Sequence, residues 1–259
     1  MILGVQFYTL REQCKDLKGF EESMKKVADI GYTSIQLSGV CAHEPEWAYE
    51  KARENGLSID LTHYDFKKMC HETAATIAHH DALHCSHIGL GSSPYPKTEE
   101  GLEHLCQNLA PVVKEFAAHG KKFAYHNHHW EFFRHGDKTF LDGLCERFTP
   151  DELAIILDVF WVQAAGGDPV AWIKKLKGRL DRVHFKDMKV FLHEDIYNMD
   201  CRRVASIGEG IMNYDAIIEA CLEANAGIGY VELDDCYGED PFECLKRSYK
   251  YMSERYGLK

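Results

Sequence analysis

The stretch that decides the fold is Phe20-Glu-Glu-Ser-Met-Lys-Lys-Val-Ala-Asp-Ile30-Gly31, followed almost at once by the strand-like run Thr33–Leu37. Four apolar residues of this stretch share one face of a helix: Phe20, Met24, Val27 and Ile30. Apolar residues at this spacing predict an amphipathic helix, and Gly31 is typical of a helix end. The stretch therefore predicts a helix that packs against the strand that follows it.

The same alternation continues in both directions along the chain. Short runs rich in β-branched and aromatic residues predict eight strands, Ile2–Tyr8, Thr33–Leu37, Leu57–Tyr64, His84–Leu90, Lys121–His126, Leu153–Asp158, Arg182–Lys186 and Ile228–Leu233. Helical periodicity fills the gaps over Phe20–Ile30, Glu46–Asn55, Lys68–His80, Glu99–His119, Phe140–Phe148, Val170–Leu176, Tyr214–Ala224 and Phe242–Tyr256. The longest irregular stretch, Asp187–Ile211, is predicted to be a loop over the site.

Strands that alternate with helices pair in parallel through right-handed crossovers. An open doubly wound sheet would show the same local alternation, but eight units in about 250 residues favour closure into a barrel. We therefore predict an α/β fold, a (β/α)₈ TIM barrel, formed as one domain over residues 1–259.

The composition narrows the functional classes. The formal charge of −11 disfavours nucleic-acid binding and anionic membranes, and no apolar run is long enough for a transmembrane helix. Ten cysteines without a CxxC pair predict free thiols in a reducing cytoplasm rather than a zinc ribbon or a disulfide framework. The glycine-rich turns lack a dinucleotide fingerprint, so neither NAD nor flavin is expected.

Functional residues of a parallel barrel lie where the strands end. Here His126, Asp158, His184 and Glu232 stand at or near the ends of four consecutive predicted strands. Two imidazoles and two carboxylates suit one divalent ion, with Mn²⁺ expected and Zn²⁺, Co²⁺, Fe²⁺ or Mg²⁺ as alternatives. Such an ion would act as a Lewis acid on a carbonyl and stabilise an enediolate. Histidines in strands are more often structural, and only the series of four strand ends favours the metal.

Six segments resemble the sugar phosphate isomerase/epimerase group of the xylose-isomerase-like barrel superfamily: Gly4–Arg11, Tyr125–Phe132, Leu157–Val159, Val183–Asp187, Ile207–Ile211 and Tyr230–Leu233. The resemblance implies the same barrel and a metal bound by Glu, Asp, His and Glu from the fifth to the eighth strand. Carried over by motif, the last three ligands fall on Asp158, His184 and Glu232.

The first of these positions is His126, within a histidine-type segment His126-Asn-His-His-Trp-Glu-Phe132. The resemblance implies that the group's epimerases use two glutamates as a proton-transfer pair, and this chain lacks the first. Glu232 is then the expected base, with His128, His63 or Glu131 as the second acid/base. A keto-sugar isomerase or epimerase is the first expectation. A lyase that eliminates β to a keto group, for example on 3-keto-glycosides, is the alternative, which the histidine-type segment also implies by resemblance.

Further residues are candidates for binding the small carbohydrate substrate: Tyr8, His63, Trp130, Lys186, Asp187 and Glu209. Tyr8 and His63 close the first and third predicted strands, and Trp130 offers a ring for stacking on a sugar. Each of them has a structural alternative as a packed or ion-paired side chain. Two other functions stay open, namely a DNA-repair endonuclease of the endonuclease IV type and a non-catalytic binding protein. Association of identical chains is also left open.

Overall fold

A computed structural model describes residues 1–192, 194 and 201–259, and its centre is a closed barrel of eight parallel strands. In barrel order the strands are β1 (Ile2–Gln6), β2 (Ser34–Leu37), β3 (Ser58–His63), β4 (His87–Leu90), β5 (Lys122–His126), β8 (Leu153–Asp158), β9 (Arg182–Phe185) and β12 (Ile228–Val231). The pairing of β1 with β12, in the register Ile2 with Ile228, closes the circle. The predicted (β/α)₈ TIM barrel is confirmed.

Helices surround the barrel. They are α1 (Leu17–Ile30), α2 (Pro45–Glu54), α3 (Phe66–His71), α4 (Thr73–Ala82), α5 (Glu99–Ala118), α6 (Phe140–Arg147), α7 (Val159–Ala164), α8 (Pro169–Lys175), α9 (Tyr214–Glu223) and α10 (Pro241–Tyr256). The predicted helix Lys68–His80 is two helices, because the backbone of Glu72 leaves the helical region with φ −130° and ψ 41°. The short α7, directly after β8, was not predicted.

Several strand boundaries differ from the sequence prediction, and the first and fourth strands show a local cause for the difference. The first strand ends at Gln6, whose side chain accepts the Tyr8 N–H at 3.0 Å, and Phe7–Leu10 form a 3₁₀ helix. The fourth strand begins at His87 rather than at His84, because His84 has a φ of 53° that an extended strand cannot adopt. Tyr8 therefore follows the first strand instead of ending it.

The predicted loop Asp187–Ile211 contains regular structure at both ends. Strand β10 (Asp187–Val190) pairs antiparallel with β11 (Arg202–Ala205), so the segment begins and ends as a two-stranded ribbon. Residues 193 and 195–200 of this prediction lie outside the described residues. A second small ribbon, β6 (Arg134–His135) with β7 (Lys138–Thr139), follows a 3₁₀ turn over His129–Phe132.

The apolar core has two layers, as the parallel topology requires. Most buried apolar side chains pack between the barrel and the helices, and a smaller group fills the barrel interior, including Leu61, Ile156 and Tyr230. The longest helix of the described part, α5, carries five charged side chains, and no helix in that part is both long and apolar enough to cross a membrane. The carboxyl ends of the strands share one face, where polar side chains collect.

Candidate metal centre

Four buried side chains from neighbouring strands converge at the carboxyl ends of the barrel. His126 ends β5, Asp158 ends β8, His184 lies on β9 beside Asp158, and Glu232 directly follows β12. One ligand atom from each lies within 4.8 Å of the others. The folded chain thus brings together the four residues predicted from the strand ends, which lie up to 106 positions apart in the sequence (232 − 126). A pocket of this donor composition suits one divalent ion.

Both imidazoles are held by their outer nitrogens. His126 Nδ1 lies 3.0 Å from the Gly91 carbonyl oxygen, and His184 Nε2 lies 2.6 Å from Gln36 Oε1. A carbonyl or amide oxygen only accepts hydrogen bonds, so each of these outer nitrogens carries a proton and the opposite nitrogen of each ring faces the cluster. Those are His126 Nε2 and His184 Nδ1, the atoms that lie nearest Asp158, at 3.3 and 3.9 Å. The rings are therefore oriented as metal ligands normally are.

Two buried atoms of the cluster have no hydrogen-bond partner in the described part of the chain. They are His184 Nδ1 and Glu232 Oε2, which lie 2.9 Å apart without the angle that a hydrogen bond needs. Glu232 Oε2 still has the Lys186 ammonium 3.1 Å away, whereas His184 Nδ1 has no partner in that part of the chain, and leaving a buried polar atom unpaired costs about 1–3 kcal/mol. A divalent ion bonded to both atoms would satisfy them, so these residues fit the metal that the resemblance implies.

Lys186 brings a positive charge into the same cluster. Its Nζ lies 3.1 Å from Asp158 Oδ2, 3.1 Å from Glu232 Oε2 and 2.8 Å from Asp234 Oδ2. Three carboxylates against one ammonium leave a formal charge of −2 (three negative, one positive), which one divalent cation would neutralise. Burial alone lowers the pKa of Lys186, but the three carboxylates together raise it above its ordinary value. Lys186 is thus a fixed cation.

The two carboxylates of the cluster differ in their acidity. Burial raises the pKa of Glu232 above its ordinary value, and Lys186 offsets only part of that effect. Burial also acts on Asp158, but Lys186 and His126 outweigh it and lower the pKa of that carboxyl. Asp158 Oδ1 further accepts the Trp161 N–H at 3.1 Å as the cap of α7. Asp158 is therefore a permanent anion, whereas Glu232 is the group better suited to take up a proton.

A cavity of about 270 Å³ opens above the cluster. It is lined by Gln6, Tyr8, Ser38, His63, Gly91, Ser92, His126, His128, Lys186, Glu232 and Asp234. The structure thus brings Tyr8, His63, His128 and Lys186, all predicted site residues, to one cavity with two of the ligand residues. Burial and the neighbouring His126 lower the pKa of His128 to about 2, so its ring is uncharged near neutral pH.

Trp130 and Glu131 follow the fifth strand but do not line this cavity. Trp130 is 43% exposed and stacks on His128, with ring centroids 4.9 Å apart. Glu131 is fully buried and accepts both the Tyr125 hydroxyl and the His128 N–H, each at 2.8 Å. Both carboxylate oxygens are engaged away from the cavity, so the structure does not bring Glu131 among the residues that line it, and its catalytic role stays a prediction.

Asp187 and Glu209 are also directed elsewhere. The Asp187 carboxylate accepts the backbone N–H groups of Met188, Gly208, Gly210 and Met212 at 2.8–3.2 Å. Glu209 is exposed and pairs with Arg247 Nε at 2.6 Å. The turn at Gly208 therefore does not aim Glu209 at the cavity. Neither side chain lines the cavity, where a substrate-binding residue would be expected.

Sequence reasoning missed two residues of the site. Neither Gln36, inside the second predicted strand, nor Asp234 was among the predicted site residues. A fully buried glutamine in an apolar strand, between Ile35 and Leu37, was the available signal for Gln36, because a buried amide needs a partner. Asp234 stands two residues after Glu232, so both side chains were candidates for the same face of an extended segment.

A family model described as xylose isomerase-like TIM barrel matches residues 65–252, which is most of the chain. The chain belongs to this family. Among curated relatives, it is similar to inosose dehydratase 2 of Bacillus cereus, with 23% identity over 173 residues. That match covers 62% of this chain and 57% of the relative, so the chain matches less than two thirds of that relative's length.

Solved structures of other proteins also resemble the whole chain. A sugar phosphate isomerase/epimerase from Parabacteroides distasonis superposes with a TM-score of 0.82 at 21% identity, covering 99% of this chain and 95% of that one. A D-psicose 3-epimerase from Clostridium cellulolyticum H10 superposes with a TM-score of 0.69 at 14% identity, covering 100% and 99%. At these identities the likeness shows the fold.

Proposed function

We propose that this xylose isomerase-like barrel is a divalent-metal-dependent isomerase or epimerase of a keto-sugar or a related polyol carbonyl compound. The observation that carries the proposal is the convergence of His126, Asp158, His184 and Glu232 at a cavity that Glu232 and His128 both line. The relatives named as epimerases and dehydratases support a carbohydrate substrate.

The four clustered residues would hold the metal. When bound, a divalent ion supplies Lewis acidity that polarises a substrate carbonyl and stabilises the negative charge of an enediolate. Lys186 holds Asp158 and Glu232 in place through its contacts of 3.1 Å. The outer hydrogen bonds of the two histidines fix their rings, so the site is organised before substrate enters.

Glu232 and His128 are the proposed proton-transfer pair. Glu232 follows the eighth barrel strand and His128 follows the fifth, so their side chains reach the cavity from different strands. The Glu232 carboxylate, whose pKa burial raises, takes the proton from the carbon beside the carbonyl. The uncharged His128 ring donates its N–H proton to the neighbouring position of the substrate, and solvent restores that proton as Glu232 releases the one it took; Nδ1 of the ring has no partner among the described residues. His63 and Tyr8 bind substrate hydroxyls.

Deuterium exchange tests this proposal. Metal-supplemented protein is incubated in D₂O with a panel of ketoses, and solvent deuterium at the carbon beside the carbonyl is measured by NMR. Exchange with product formation is expected for wild type, and Glu232→Gln should lower the rate by roughly 100-fold or more, because the base is lost. Glu209→Gln is the matched control, since that carboxylate is exposed and pairs with Arg247. Exchange that survives in Glu232→Gln would contradict the proposal.

A second candidate is a lyase that eliminates β to a keto group. His126 favours it, because an imidazole at this position leaves Glu232 as the one carboxylate of the described metal ligands with a raised pKa. One base and a leaving group are enough for elimination, whereas a symmetric epimerisation uses two bases. Mass spectrometry of the products separates the two: isomerisation keeps the mass of the substrate, and dehydration lowers it by one water. Candidate substrates for the second activity are inososes and 3-keto-glycosides.

A further inference from the structure

Gln36 lies on β2 and is fully buried in the barrel. Its Oε1 is 2.6 Å from His184 Nε2, which joins two side chains that are 148 residues apart in the chain. The other end of the Gln36 amide, Nε2, is buried without a partner among the residues that the structure describes. A buried amide group without a partner carries a cost of about 1–3 kcal/mol. The hydrogen bond that Gln36 Oε1 accepts from His184 is therefore the contact that holds the Gln36 side chain in this position.

An uncharged imidazole carries a single N–H, and two acceptors lie beside the ring of His184. Gln36 Oε1 accepts at Nε2 with hydrogen-bond geometry, whereas Glu232 Oε2, 2.9 Å from Nδ1, lies outside the direction of an Nδ1–H. The proton therefore belongs on Nε2. If Gln36 were removed, Nε2 would lose its acceptor, and a small rotation of the ring would let Nδ1 donate its proton to the carboxylate instead.

We propose that Gln36 is a positioning residue that keeps the Nδ1 lone pair of His184 free for the metal. This inference rests on the metal site of the proposed function. It adds to that site Gln36, which reaches His184 from β2 across the barrel. His126 does not need such a side chain, because the backbone carbonyl of Gly91 holds its Nδ1. The two metal-facing histidines are thus fixed by different means, and only one of the two can be changed by a side-chain substitution.

The tautomer of His184 is measured directly in metal-free protein by ¹⁵N NMR of the ring nitrogens. The variants are Gln36→Met, which removes the acceptor at similar volume, and Gln36→Glu, which keeps it. His184→Asn identifies the His184 signals among the fifteen histidines. Wild type and Gln36→Glu should show the proton on Nε2, and Gln36→Met should show it on Nδ1. His126 is the internal control and should keep its Nδ1 proton in every variant.

Metal affinity is the second readout, measured with Mn²⁺ against a competing chelator. Loss of an outer partner of a ligating histidine typically weakens metal binding by about 10- to 100-fold, so Gln36→Met should weaken it by that factor. Thr62→Val is the matched control, because it removes a partner of the buried His80 from the neighbouring strand β3. It should bind Mn²⁺ as wild type does.

An unchanged His184 tautomer in a folded Gln36→Met protein would overturn the inference, and so would wild-type Mn²⁺ affinity in that variant. If Gln36→Met fails to fold, the reciprocal variant Gln36→Lys tests the same point, since a donor at this place must drive the Nε2 proton away. Wild type that binds no metal would contradict the proposed function alone, because the tautomer is measured without metal.

Discussion

His80 is a buried histidine away from the metal centre. Its Nδ1 donates to the Thr76 carbonyl oxygen and its Nε2 accepts from the Thr62 hydroxyl, both at 2.8 Å. Burial lowers the pKa of His80 to about 4. His80 has the higher pKa in the unfolded chain. Its contribution to the free energy of unfolding is therefore complete above about pH 6.5 and is lost as the pH falls towards 4.

Lowering the pH from 7 to 5 should therefore cost about 2 kcal/mol of unfolding free energy through His80. The measurement is urea unfolding at the two pH values, with wild type compared with His80→Gln. The variant should be less stable at pH 7 and should lose less on acidification, because its side chain does not titrate. An equal loss in both proteins would assign the acid sensitivity to other groups.

Substitution of Glu131 distinguishes a structural role of this residue from a catalytic one. Glu131→Ala removes the acceptors of the Tyr125 hydroxyl and the His128 N–H, so it should destabilise the protein by about 2–4 kcal/mol. The protein that remains folded should keep most of its turnover, since the carboxylate does not line the cavity. Thermal unfolding and kcat on the same preparation decide between the readings. A stable protein with kcat reduced more than about 100-fold would restore the catalytic one.

The metal-facing residues could be predicted because each of them stands at or near the end of a predicted strand, as Asp158 does after Ile155-Ile-Leu157. A polar residue at such a place must face the mouth of a parallel barrel. Gln36, Asp234 and the burial of Glu131 could not be predicted in this way. Their roles depend on partners such as His184 and Lys186, which only the folded chain brings near, and local sequence does not encode that distance.

Among the elements, the turn that follows the ribbon of β10 and β11 is organised around the Asp187 side chain. The Asp187 carboxylate accepts four backbone N–H groups and so fixes the turn that carries Gly208 and Gly210. A Cβ on Gly210 would lie 2.3 Å from Asp187 Oδ1, so the turn packs directly on the carboxylate. The segment was predicted to be a loop because its strands are short and charged, which weakens the alternating pattern of apolar and polar residues.

Asp187→Ala should loosen this turn without unfolding the barrel. Hydrogen bonds to a charged acceptor contribute roughly 1.5–3 kcal/mol each, so the amides of Gly208, Gly210 and Met212 should exchange about 10- to 100-fold faster or more. Hydrogen–deuterium exchange with peptide-level mass spectrometry is the measurement. Glu209→Ala, in the same turn, is the control and should leave these rates near wild type. Unchanged exchange in Asp187→Ala would show that the turn is held by other contacts.

For the whole molecule, a bound metal would add a further link among β5, β8, β9 and β12, which their backbone ladders and the ion pairs of Lys186 already connect. Mn²⁺ at 100 times its dissociation constant should add about 2.7 kcal/mol of stability. For a chain of this length the melting temperature should then rise by roughly 5–10 °C. Asp158→Asn should abolish most of the shift, because it removes one of the anionic ligands. An equal shift in that variant would place the ion elsewhere on the protein.

The architecture was more predictable than its details. Alternation of strands and helices predicted the closed barrel, since eight parallel units have few other ways to bury both faces of every strand. The breaks at Glu72 and His84 were not predicted, because each depends on the backbone angles of a single residue. The unpredicted α7 begins on the Asp158 carboxylate, so the side chain that caps this helix is also one of the four that could hold a metal.

Closure of the barrel joins Ile2–Val5 to Ile228–Val231, almost the full length of the chain apart. During translation, the first strand therefore cannot pair with the last strand until the last strand has been synthesised. At roughly 5–20 residues per second, the 226 positions from Ile2 to Ile228 (228 − 2) take on the order of 10–45 s to synthesise. Throughout that time the nascent sheet has two unpaired edges, and the ligand Glu232 has not been made. We expect a cell to depend on chaperones at the ribosome to protect this intermediate until the ring can form.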